Sequence, residues 1–438
     1  MDEEERRGAA PDAAGQSRPG PRLSRRRLLT STAAGGAGLA LAGGGYAVGR
    51  GRGQAPPPRQ PLAGQAVPFY GEHQAGIATP AQDRLHFAAF DVTATSRSDL
   101  RDLLRAWTQA AARMCGGDPP VPGGSDPLAP PADTGEAAGL PPARLTITFG
   151  FGPSLFGRPG SGDRFGLAVL RPTELDDLPP LPGDRLEPGR GGGDLAVQAC
   201  ADDPQVAFHA VRSLARIGRG TVVPRWSQLG FGRTSSTSRG QDTPRNLLGF
   251  KDGTNNLKGE DTDLLDEHVW VPRDSAPAWV RGGTYVVARR IRMLTEVWER
   301  QSLEDQERTI GRLRASGAPI GGKDEFDILD FTARGPDGKP VIPPSSHVRL
   351  AAPDVNGGAM LLRRGYSFAD GVDGSGQLDA GLFFICFQRD PRRQFVAIQR
   401  RLGAHDALSE YIRHTASALF ACPPGPRPGG YVGQPLLD

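Results

Sequence analysis

The sequence predicts an α+β fold built from two ferredoxin-like halves with antiparallel sheets. The first observation is the order of elements before residue 240, which is strand, helix, strand, strand, helix, strand, as in a ferredoxin-like unit. The second is that the pattern after residue 241 indicates a repeat of that unit. The third is length: 438 residues suit about two domains, and 37% hydrophobic residues can fill their cores.

The elements of the first half follow from hydrophobic periodicity. One segment places Leu100, Leu104, Trp107 and Ala111 on one side of a helix, whereas the strand segments alternate or form short apolar runs. Loops rich in Pro and Gly separate these segments. The pattern predicts helices at 98–114 and 204–217 and strands at 85–92, 144–150, 194–200 and 221–231.

The second half has a less regular pattern. Residues 334–355 are polar and irregular, so we expect them to form a ligand-carrying loop. A long periodic segment with one glycine interruption, at Gly403, predicts a C-terminal helix at 395–420. The remaining pattern predicts strands at 283–293 and 377–389 and helices at 294–300 and 303–314.

The N-terminus resembles an export address. Residues 24–30, S-R-R-R-L-L-T, precede a glycine-rich, weakly apolar stretch ending at Val48 that is too short for a membrane span. An arginine pair before such a stretch resembles a twin-arginine signal, and Ala40-Leu41-Ala42 predicts cleavage after Ala42. We therefore expect the twin-arginine translocase to export the folded protein to the periplasm, the cell envelope or the extracellular space.

These patterns divide the chain into five parts. We expect a signal segment at 1–48, a flexible linker rich in Pro and Gly at 49–75, and the two ferredoxin-like halves at 76–240 and 241–425, followed by a tail at 426–438.

Composition and motifs exclude several functions. The 52 basic and 49 acidic residues nearly balance, and no basic stripe indicates nucleic-acid binding. No H-E-x-x-H zinc motif, G-x-S-x-G elbow, Walker loop or dinucleotide fingerprint occurs in the sequence. The spacing of the cysteines predicts neither a zinc site nor a disulfide framework, although one bridge remains open; they are Cys115, Cys200, Cys386 and Cys422.

The run G-F-K-D-G-T-N-N at residues 249–256 is the first candidate for a site. Glycine tolerates backbone conformations and close approaches that other residues do not, so Asp252 between two glycines suits a turn beside a flat ligand. The same residue types also form ordinary surface turns. The run therefore indicates either a pocket turn or a plain loop.

His347 and the arginines at 363–364 are the second candidate. His347 follows two prolines, and a rigid approach can fix the direction of a ligating imidazole. A structural role for this histidine is about equally compatible with its context. Arg363 and Arg364 follow apolar residues and form either part of a site or a solvated edge.

With these motifs in order, the chain resembles the dye-decolorizing (DyP-type) haem peroxidases of the exported, iron-transport-associated type. The resemblance implies a fold of the dimeric α+β barrel type and a haem b cofactor, iron protoporphyrin IX, in the C-terminal half. The motifs that carry it are T-F-G-F-G-P-S-L-F at 148–156, G-F-K-D-G-T-N-N, W-E-R-Q-S-L-E-D-Q-E at 298–307, I-G-R-L-R-A-S-G-A-P at 310–319, H-V-R-L-A-A-P at 347–353, L-L-R-R-G-Y-S-F at 361–368 and Q-L-D-A-G-L-F-F at 377–384.

The resemblance also implies roles for individual residues. Asp252 matches the family's distal aspartate, and His347 matches the proximal ligand of the haem iron. Arg363 matches the distal arginine, because the family's distal arginine falls at the first arginine of the motif L-L-R-R-G-Y-S-F. Arg364, the second arginine, is the weaker match.

Four further positions match less closely. Thr254, Asn256 and Arg349 match pocket-lining positions that would meet the haem propionates. Asp379 is a candidate acceptor for the second nitrogen of His347, which would raise the basicity of the imidazole.

The implied activity is reduction of hydrogen peroxide through an oxyferryl intermediate, coupled to oxidation of dyes, phenols or other one-electron donors. Two alternatives use the same haem site. One is a deferrochelatase that releases iron and leaves the porphyrin intact, and the other is a secreted haem-binding protein without catalysis. The resemblance further implies that proteins of iron uptake are partners.

Overall fold

The computed structural model describes residues 64–123, 126–157, 162–275 and 277–438. The expected signal segment, its cleavage site and residues 49–63 of the expected linker lie outside the described residues. Within the described part of the chain, no helix is both long enough and apolar enough to span a membrane.

The first half forms one antiparallel sheet with two helices. Its strands lie in the order β2-β3-β1-β4, which is the strand order of a ferredoxin-like unit. Ser96 and Asp203 cap the helices by accepting hydrogen bonds from backbone N–H groups of the first turn. The elements are β1 Arg84–Val92, α1 Arg97–Gly116, β2 Thr146–Phe151, β3 Leu195–Ala201, α2 Pro204–Ile217 and β4 Val222–Arg233.

The second half repeats this arrangement with its strands in the order β9-β5-β8-β7, and a short strand, β6, also pairs with β8. Its strands are β5 Thr284–Met293, β6 Leu362–Arg363, β7 Tyr366–Val372, β8 Leu378–Gln388 and β9 Ile412–Cys422. Its helices are α3 Thr262–His268, α4 Thr295–Trp298, α5 Leu303–Ile310, α6 His347–Ala351, α7 Ala397–His405 and α8 Gln434–Leu437.

The two half-sheets join at both edges. Strand β4 pairs with β7, and β2 pairs with β9, so the sheet closes on itself with every neighbouring pair antiparallel. The predicted fold class, two ferredoxin-like halves with antiparallel sheets, is confirmed.

Side chains alternate between the two faces of each strand, so the buried residues form an inner core on one face of the sheet and an outer core on the other. On β1, Leu85, Phe87 and Ala89 belong to a core shared by strands of both halves, whereas Phe90 and Val92 pack with residues of α1 and α2. Trp107 of α1 is 1% exposed and donates from Nε1 to the carbonyl of Leu214 at 2.8 Å. The outer core therefore fixes both helices on the sheet.

The predicted C-terminal helix at 395–420 is wrong. A π-turn at Arg392–Val396 leads into α7, which ends at His405, and a 3-10 turn at Ala407–Glu410 precedes strand β9. Asp406 interrupts the helix because its side chain accepts from the backbone N–H of Leu408 and caps the following turn. Most of strand β9, which is an edge strand of the second ferredoxin-like unit, is formed by residues that the prediction assigned to the helix.

Two expected boundaries also need correction. Phe69 is 6% exposed in the core and Gln74 donates to the carbonyl of Phe149 at 3.0 Å, so the end of the expected linker packs on the body of the protein. Leu436 and Leu437 in the expected tail are buried in the same core. Apolar side chains at both ends of the chain therefore extend the packed unit beyond residues 76–425.

The four cysteines, Cys115, Cys200, Cys386 and Cys422, are buried free thiols. The disulfide left open by the sequence does not form between them.

The buried His86 gives the fold a pH-dependent stability. Burial lowers the pKa of this imidazole from 6.5 to about 4, and its ring stacks on Phe208 with 5.7 Å between centroids. The folded protein therefore keeps His86 neutral while the unfolded chain takes up a proton below pH 6.5. This contribution to stability is present above pH 6.5 and is lost as the pH falls toward 4.

We expect His86→Leu to reduce the loss of unfolding free energy between pH 6.5 and pH 4 by about 3 kcal/mol. Urea denaturation at several pH values measures this difference. His405→Leu, which removes an exposed histidine, is the matched control. The same pH slope in wild type and His86→Leu would contradict the assignment.

Candidate functional site

A cavity lies against the sheet of the second half. Ile291 and Met293 of β5 and Leu382 and Phe384 of β8 form part of its wall, and residues of α6 and α7 form another part. Further apolar side chains line it, among them Leu248, Phe250, Phe395, Ile398, Leu402 and Leu408. Most of this wall is hydrocarbon, which suits a flat apolar ligand.

The turn that carries Asp252 enters this cavity. Gly253 has a φ of +89°, and a Cβ on it would lie 2.9 Å from the Cα of Ser235, so only glycine fits there without a shift. The backbone N–H of Asp252 donates to the carbonyl of Pro244 at 2.9 Å, and Asn246 Nδ2 donates to Asp252 Oδ2 at 3.2 Å. The turn therefore holds the carboxylate in a fixed direction.

Arg363 is the partner of Asp252. Its Nη1 donates to Asp252 Oδ1 at 2.8 Å, and both side chains line the cavity while remaining partly exposed. Asn256 holds the backbone of Arg363 on both sides, since its Oδ1 accepts from the N–H at 2.8 Å and its Nδ2 donates to the carbonyl at 2.9 Å. The carboxylate and the guanidinium are thus positioned by the same polypeptide segment.

The neighbouring Arg364 has a different environment. It is fully buried and donates to the carbonyls of Ile77 and Thr79 and to the side chain of Gln82. It does not appear among the residues that line the cavity. Because successive side chains of an extended chain point to opposite faces, only one of the two arginines reaches the Asp252 turn.

His347 is the first residue of α6 rather than part of an irregular loop. The preceding Ser346 is buried, and its hydroxyl donates to the carbonyl of Pro343 at 2.7 Å. The side chain of His347 lines the cavity and is about a third exposed. The short helix thus fixes the imidazole at the cavity wall.

Asp406 contacts the second nitrogen of His347. Its Oδ2 accepts from Nδ1 at 2.6 Å, while its Oδ1 accepts from the N–H of Leu408 at 2.9 Å. Burial favours the neutral imidazole, but the charge and hydrogen bond of Asp406 outweigh it and raise the pKa of His347 above its usual value. Since a carboxylate only accepts, Nδ1 carries a proton, and the lone pair of neutral His347 is on Nε2.

The assignment of this contact to Asp379 is therefore wrong. Asp379 lies near the start of β8 and forms an ion pair with Arg290 at 2.8 Å. The sequence does contain a signal for Asp406, because an aspartate suits the N-cap of a turn, where its side chain accepts from the backbone N–H two residues later, here that of Leu408. The predicted continuous helix at 395–420 hid it.

The three residues expected to meet the propionates have different surroundings. Thr254 lines the cavity, and its hydroxyl donates to Glu325 Oε1 at 3.0 Å. Asn256 and Arg349 are absent from the cavity lining. Asn256 instead holds Arg363, and Arg349 Nη1 donates to the carbonyls of Phe331 and Ile342 at 3.1 and 3.2 Å.

A second histidine, His414, also lines the cavity. It is 6% exposed, and its Nε2 lies 3.2 Å from Gln399 Nε2. Burial, with a smaller effect from Arg289, lowers the pKa of His414 to about 3, so it is neutral. Its small exposed fraction makes it a weaker candidate for a ligand than His347.

This donor set fits haem. A single imidazole cannot complete the four-ligand shell of a structural zinc ion, but it suits an iron whose other ligands come from a porphyrin. The apolar wall matches the faces of such a group, and Asp252 with Arg363 provides a proton acceptor beside a permanent positive charge. His347 would hold the iron.

Two family models match consecutive parts of the chain. Residues 74–232 match the N-terminal model of the Dyp-type peroxidases, and residues 243–427 match the C-terminal model. The two matches correspond to the two halves of the fold.

Individual relatives agree with this match. The deferrochelatase of Escherichia coli (strain K12) is 40% identical over 422 residues, covering 94% of this chain and 97% of the relative. The structure of ferric DtpA from Streptomyces lividans has a TM-score of 0.78 and 44% identity, over 86% of this chain and 98% of that one. A DyP-type peroxidase from Cellulomonas bogoriensis has a TM-score of 0.76 and 38% identity, over 86% and 100%. These matches confirm the resemblance to the DyP-type peroxidases, and the chain belongs to the DyP-type peroxidase family and is a peroxidase.

Proposed function

We propose that this peroxidase uses haem b to reduce hydrogen peroxide and to oxidise dyes, phenols or other one-electron donors. The observation that carries the proposal is that His347 and the Asp252–Arg363 pair open into one cavity with an apolar wall. A structure of DypB from Rhodococcus jostii contains heme, and at 22% identity and a TM-score of 0.55 that likeness concerns the fold. Family membership and the donor set together support the cofactor.

When bound, haem would supply redox-active iron for the reduction of peroxide and the oxidation of donors. His347 would hold the iron through Nε2, because Asp406 keeps the proton on Nδ1 and fixes the direction of the ring. The buried carboxylate also increases the electron donation of the imidazole. The proximal pair therefore sets both the position and the basicity of the ligand.

Asp252 and Arg363 act on the peroxide. The hydrogen bonds from Arg363 and Asn246 orient Asp252, which would accept a proton from one oxygen of hydrogen peroxide and return it to the other. The guanidinium of Arg363 would stabilise negative charge on the oxygen that departs. Asn246 and Asn256 hold these two groups during the transfer.

A second candidate function is release of iron from haem with the porphyrin left intact. It is favoured by the curated relatives, which are named deferrochelatase and are 40% identical over most of the chain. The two activities differ in one observable. Fluorescence of free protoporphyrin that appears without added peroxide would support iron release, and its absence during peroxide turnover would support the peroxidase alone.

We also propose that the protein is exported by the twin-arginine route and acts in the periplasm, cell envelope or extracellular space, in contact with the translocase and with proteins of iron uptake. Support comes from the arginine pair and the mild apolar stretch at the N-terminus. Replacement of Arg25 and Arg26 by lysine tests it, since an unchanged amount of exported protein would exclude this route.

We expect His347→Ala to lose the absorption spectrum of histidine-ligated haem, because no other nitrogen takes the place of Nε2. Added imidazole should restore the spectrum by filling the space that the side chain leaves. His414→Gln is the matched control, since it removes the other cavity histidine and should keep the spectrum. Absorption spectra and far-ultraviolet circular dichroism measure ligation and folding separately.

A wild-type spectrum in His347→Ala would show that His347 is not the ligand. Loss of the spectrum in His414→Gln but not in His347→Ala would assign the ligand to His414 instead.

We expect Arg363→Leu to slow the reaction of the ferric haem with peroxide by about 100-fold, because the departing oxygen loses its stabilising charge. The affinity for haem should change much less. Arg363→Lys keeps the charge but not the planar group, so its rate should lie between the two. Stopped-flow absorbance at several peroxide concentrations gives the rates, and equal rates in wild type and Arg363→Leu would exclude this role.

A further inference from the structure

The side chain of Arg364 binds a short segment of the first half. This segment, residues 75–82, precedes β1 and is called the entry segment below. Arg364 is fully buried, its Nη1 donates to the carbonyls of Ile77 and Thr79, and its Nη2 donates to Oε1 of Gln82. Because these acceptors are neutral oxygens, hydrogen-bond geometry rather than an ion pair fixes the guanidinium.

The entry segment is itself fixed on the sheet of the first half. The hydroxyl of Thr148, on β2, donates to the carbonyl of Ala75 at 2.7 Å. At the other end of the segment, Nε2 of Gln82 donates to Oγ1 of Thr146 at 3.2 Å. The guanidinium is therefore bound to a segment that is anchored at both ends.

The entry segment also contacts the part of the chain that leads to the Asp252 turn. The hydroxyl of Thr237 donates to the carbonyl of Thr79 at 2.8 Å. The N–H of Gly259, which follows the turn, donates to the carbonyl of Thr237 at 2.8 Å. The entry segment is thus bonded to the chain before the Asp252 turn, and that chain is bonded to the residues after it.

Arg363 lies on a strand that is too short to fix its own rotation. Strand β6, which ends at Arg363, is two residues long, so few ladder hydrogen bonds hold it to β8. Asn256 binds the backbone of Arg363, and the N–H of Arg364 donates to the carbonyl of Ile385 at 2.8 Å. Since adjacent side chains of an extended chain point to opposite faces, the anchored guanidinium of Arg364 fixes the direction of Arg363.

These contacts supply direction more than stability. A buried guanidinium without a carboxylate gives the fold little net stabilisation, because the loss of its hydration offsets its hydrogen bonds. Direction is what the ion pair of Asp252 and Arg363 requires, since Nη1 and Oδ1 must meet at 2.8 Å across 111 residues of sequence.

We propose that Arg364 is a positioning residue for the Asp252–Arg363 pair, because it ties the entry segment to β6 and keeps Arg363 directed at Asp252. The entry segment is absent from the cavity lining, so its effect on the site would pass through Arg364. The proposal rests on the proposed haem function, in which Arg363 acts on a ligand of the iron.

The experiment measures how tightly the haem-loaded ferric protein binds fluoride, a small anion that accepts a hydrogen bond from a correctly directed guanidinium. Absorption spectra give the dissociation constants of wild type, Arg364→Gln, Arg363→Leu and the double variant. We expect Arg364→Gln to weaken fluoride binding by about 10-fold and to slow the reaction with peroxide by a similar factor, because a displaced guanidinium makes a poorer hydrogen bond. Arg364→Lys, which keeps part of the contacts, should lie between wild type and Arg364→Gln.

The double variant separates positioning from a general loss of structure. If Arg364 acts through Arg363, Arg364→Gln has no further effect on fluoride binding once position 363 is leucine. The same loss in both backgrounds would overturn the proposal, and so would unchanged fluoride binding in Arg364→Gln.

Two buried glutamines provide a matched comparison. Gln82 accepts from Arg364, whereas Gln74 bonds to the backbone of Phe149 and to the carbonyl of Pro423. Gln82→Met should weaken fluoride binding in the same direction as Arg364→Gln, and Gln74→Met should leave it unchanged, although both substitutions lower the Tm. Equal losses of fluoride binding in the two variants would indicate a general loosening and contradict the proposed role of Arg364.

Hydrogen exchange gives a second readout that needs no ligand of the iron. The peptide that contains Arg363 should exchange about 10-fold faster in Arg364→Gln and Gln82→Met than in wild type and Gln74→Met. If Arg364→Gln fails to fold, Arg364→Lys and Gln82→Met test the same contact, and unchanged exchange in both would exclude it. Failure of wild type to bind haem would instead refute the haem function, and hydrogen exchange would still test the tie between Arg364 and Arg363.

Discussion

Strands β4 and β7 pair at Phe231 with Ser367 and at Arg233 with Tyr366, and the N–H of Thr234 then donates to the carbonyl of Gly365 at 2.9 Å. This seam joins the two halves at one edge of the sheet. It also places the segment after β4, which carries Asp252, beside the segment before β7, which carries Arg363. The ion pair of Asp252 and Arg363, formed across 111 residues of sequence, therefore depends on closure of the sheet.

Once the seam is formed, the cavity combines groups with opposite electrostatic needs. Asp252 and Arg363, which we propose act on peroxide, form a partly exposed ion pair, whereas Asp406 is buried and contacts His347 and the N–H of Leu408. Lys251 and Glu325 neutralise each other beside the Asp252 turn. Each of these charged groups therefore has its own partner within a wall that is largely apolar.

Local pattern was sufficient to predict part of this arrangement. Alternation and caps gave the ferredoxin-like order of the first half, and the glycines around Asp252 indicated the turn. Contacts between distant segments were not accessible in the same way. Asp406 lies 59 residues from His347, and the helical periodicity around it concealed the cap that ends α7. Strand β7 was not predicted because Asp370 and Gly371 interrupt its alternation.

The four buried cysteines have a consequence for an enzyme whose substrate is an oxidant. Peroxide attacks thiolates far faster than thiols, so a cysteine is vulnerable in proportion to its ionised fraction. Burial raises the pKa of Cys115 to about 12 and raises those of Cys200, Cys386 and Cys422 as well. Almost no thiolate is then present near neutral pH. The packing that stabilises the sheet thus also protects the protein from oxidation by the peroxide that it consumes.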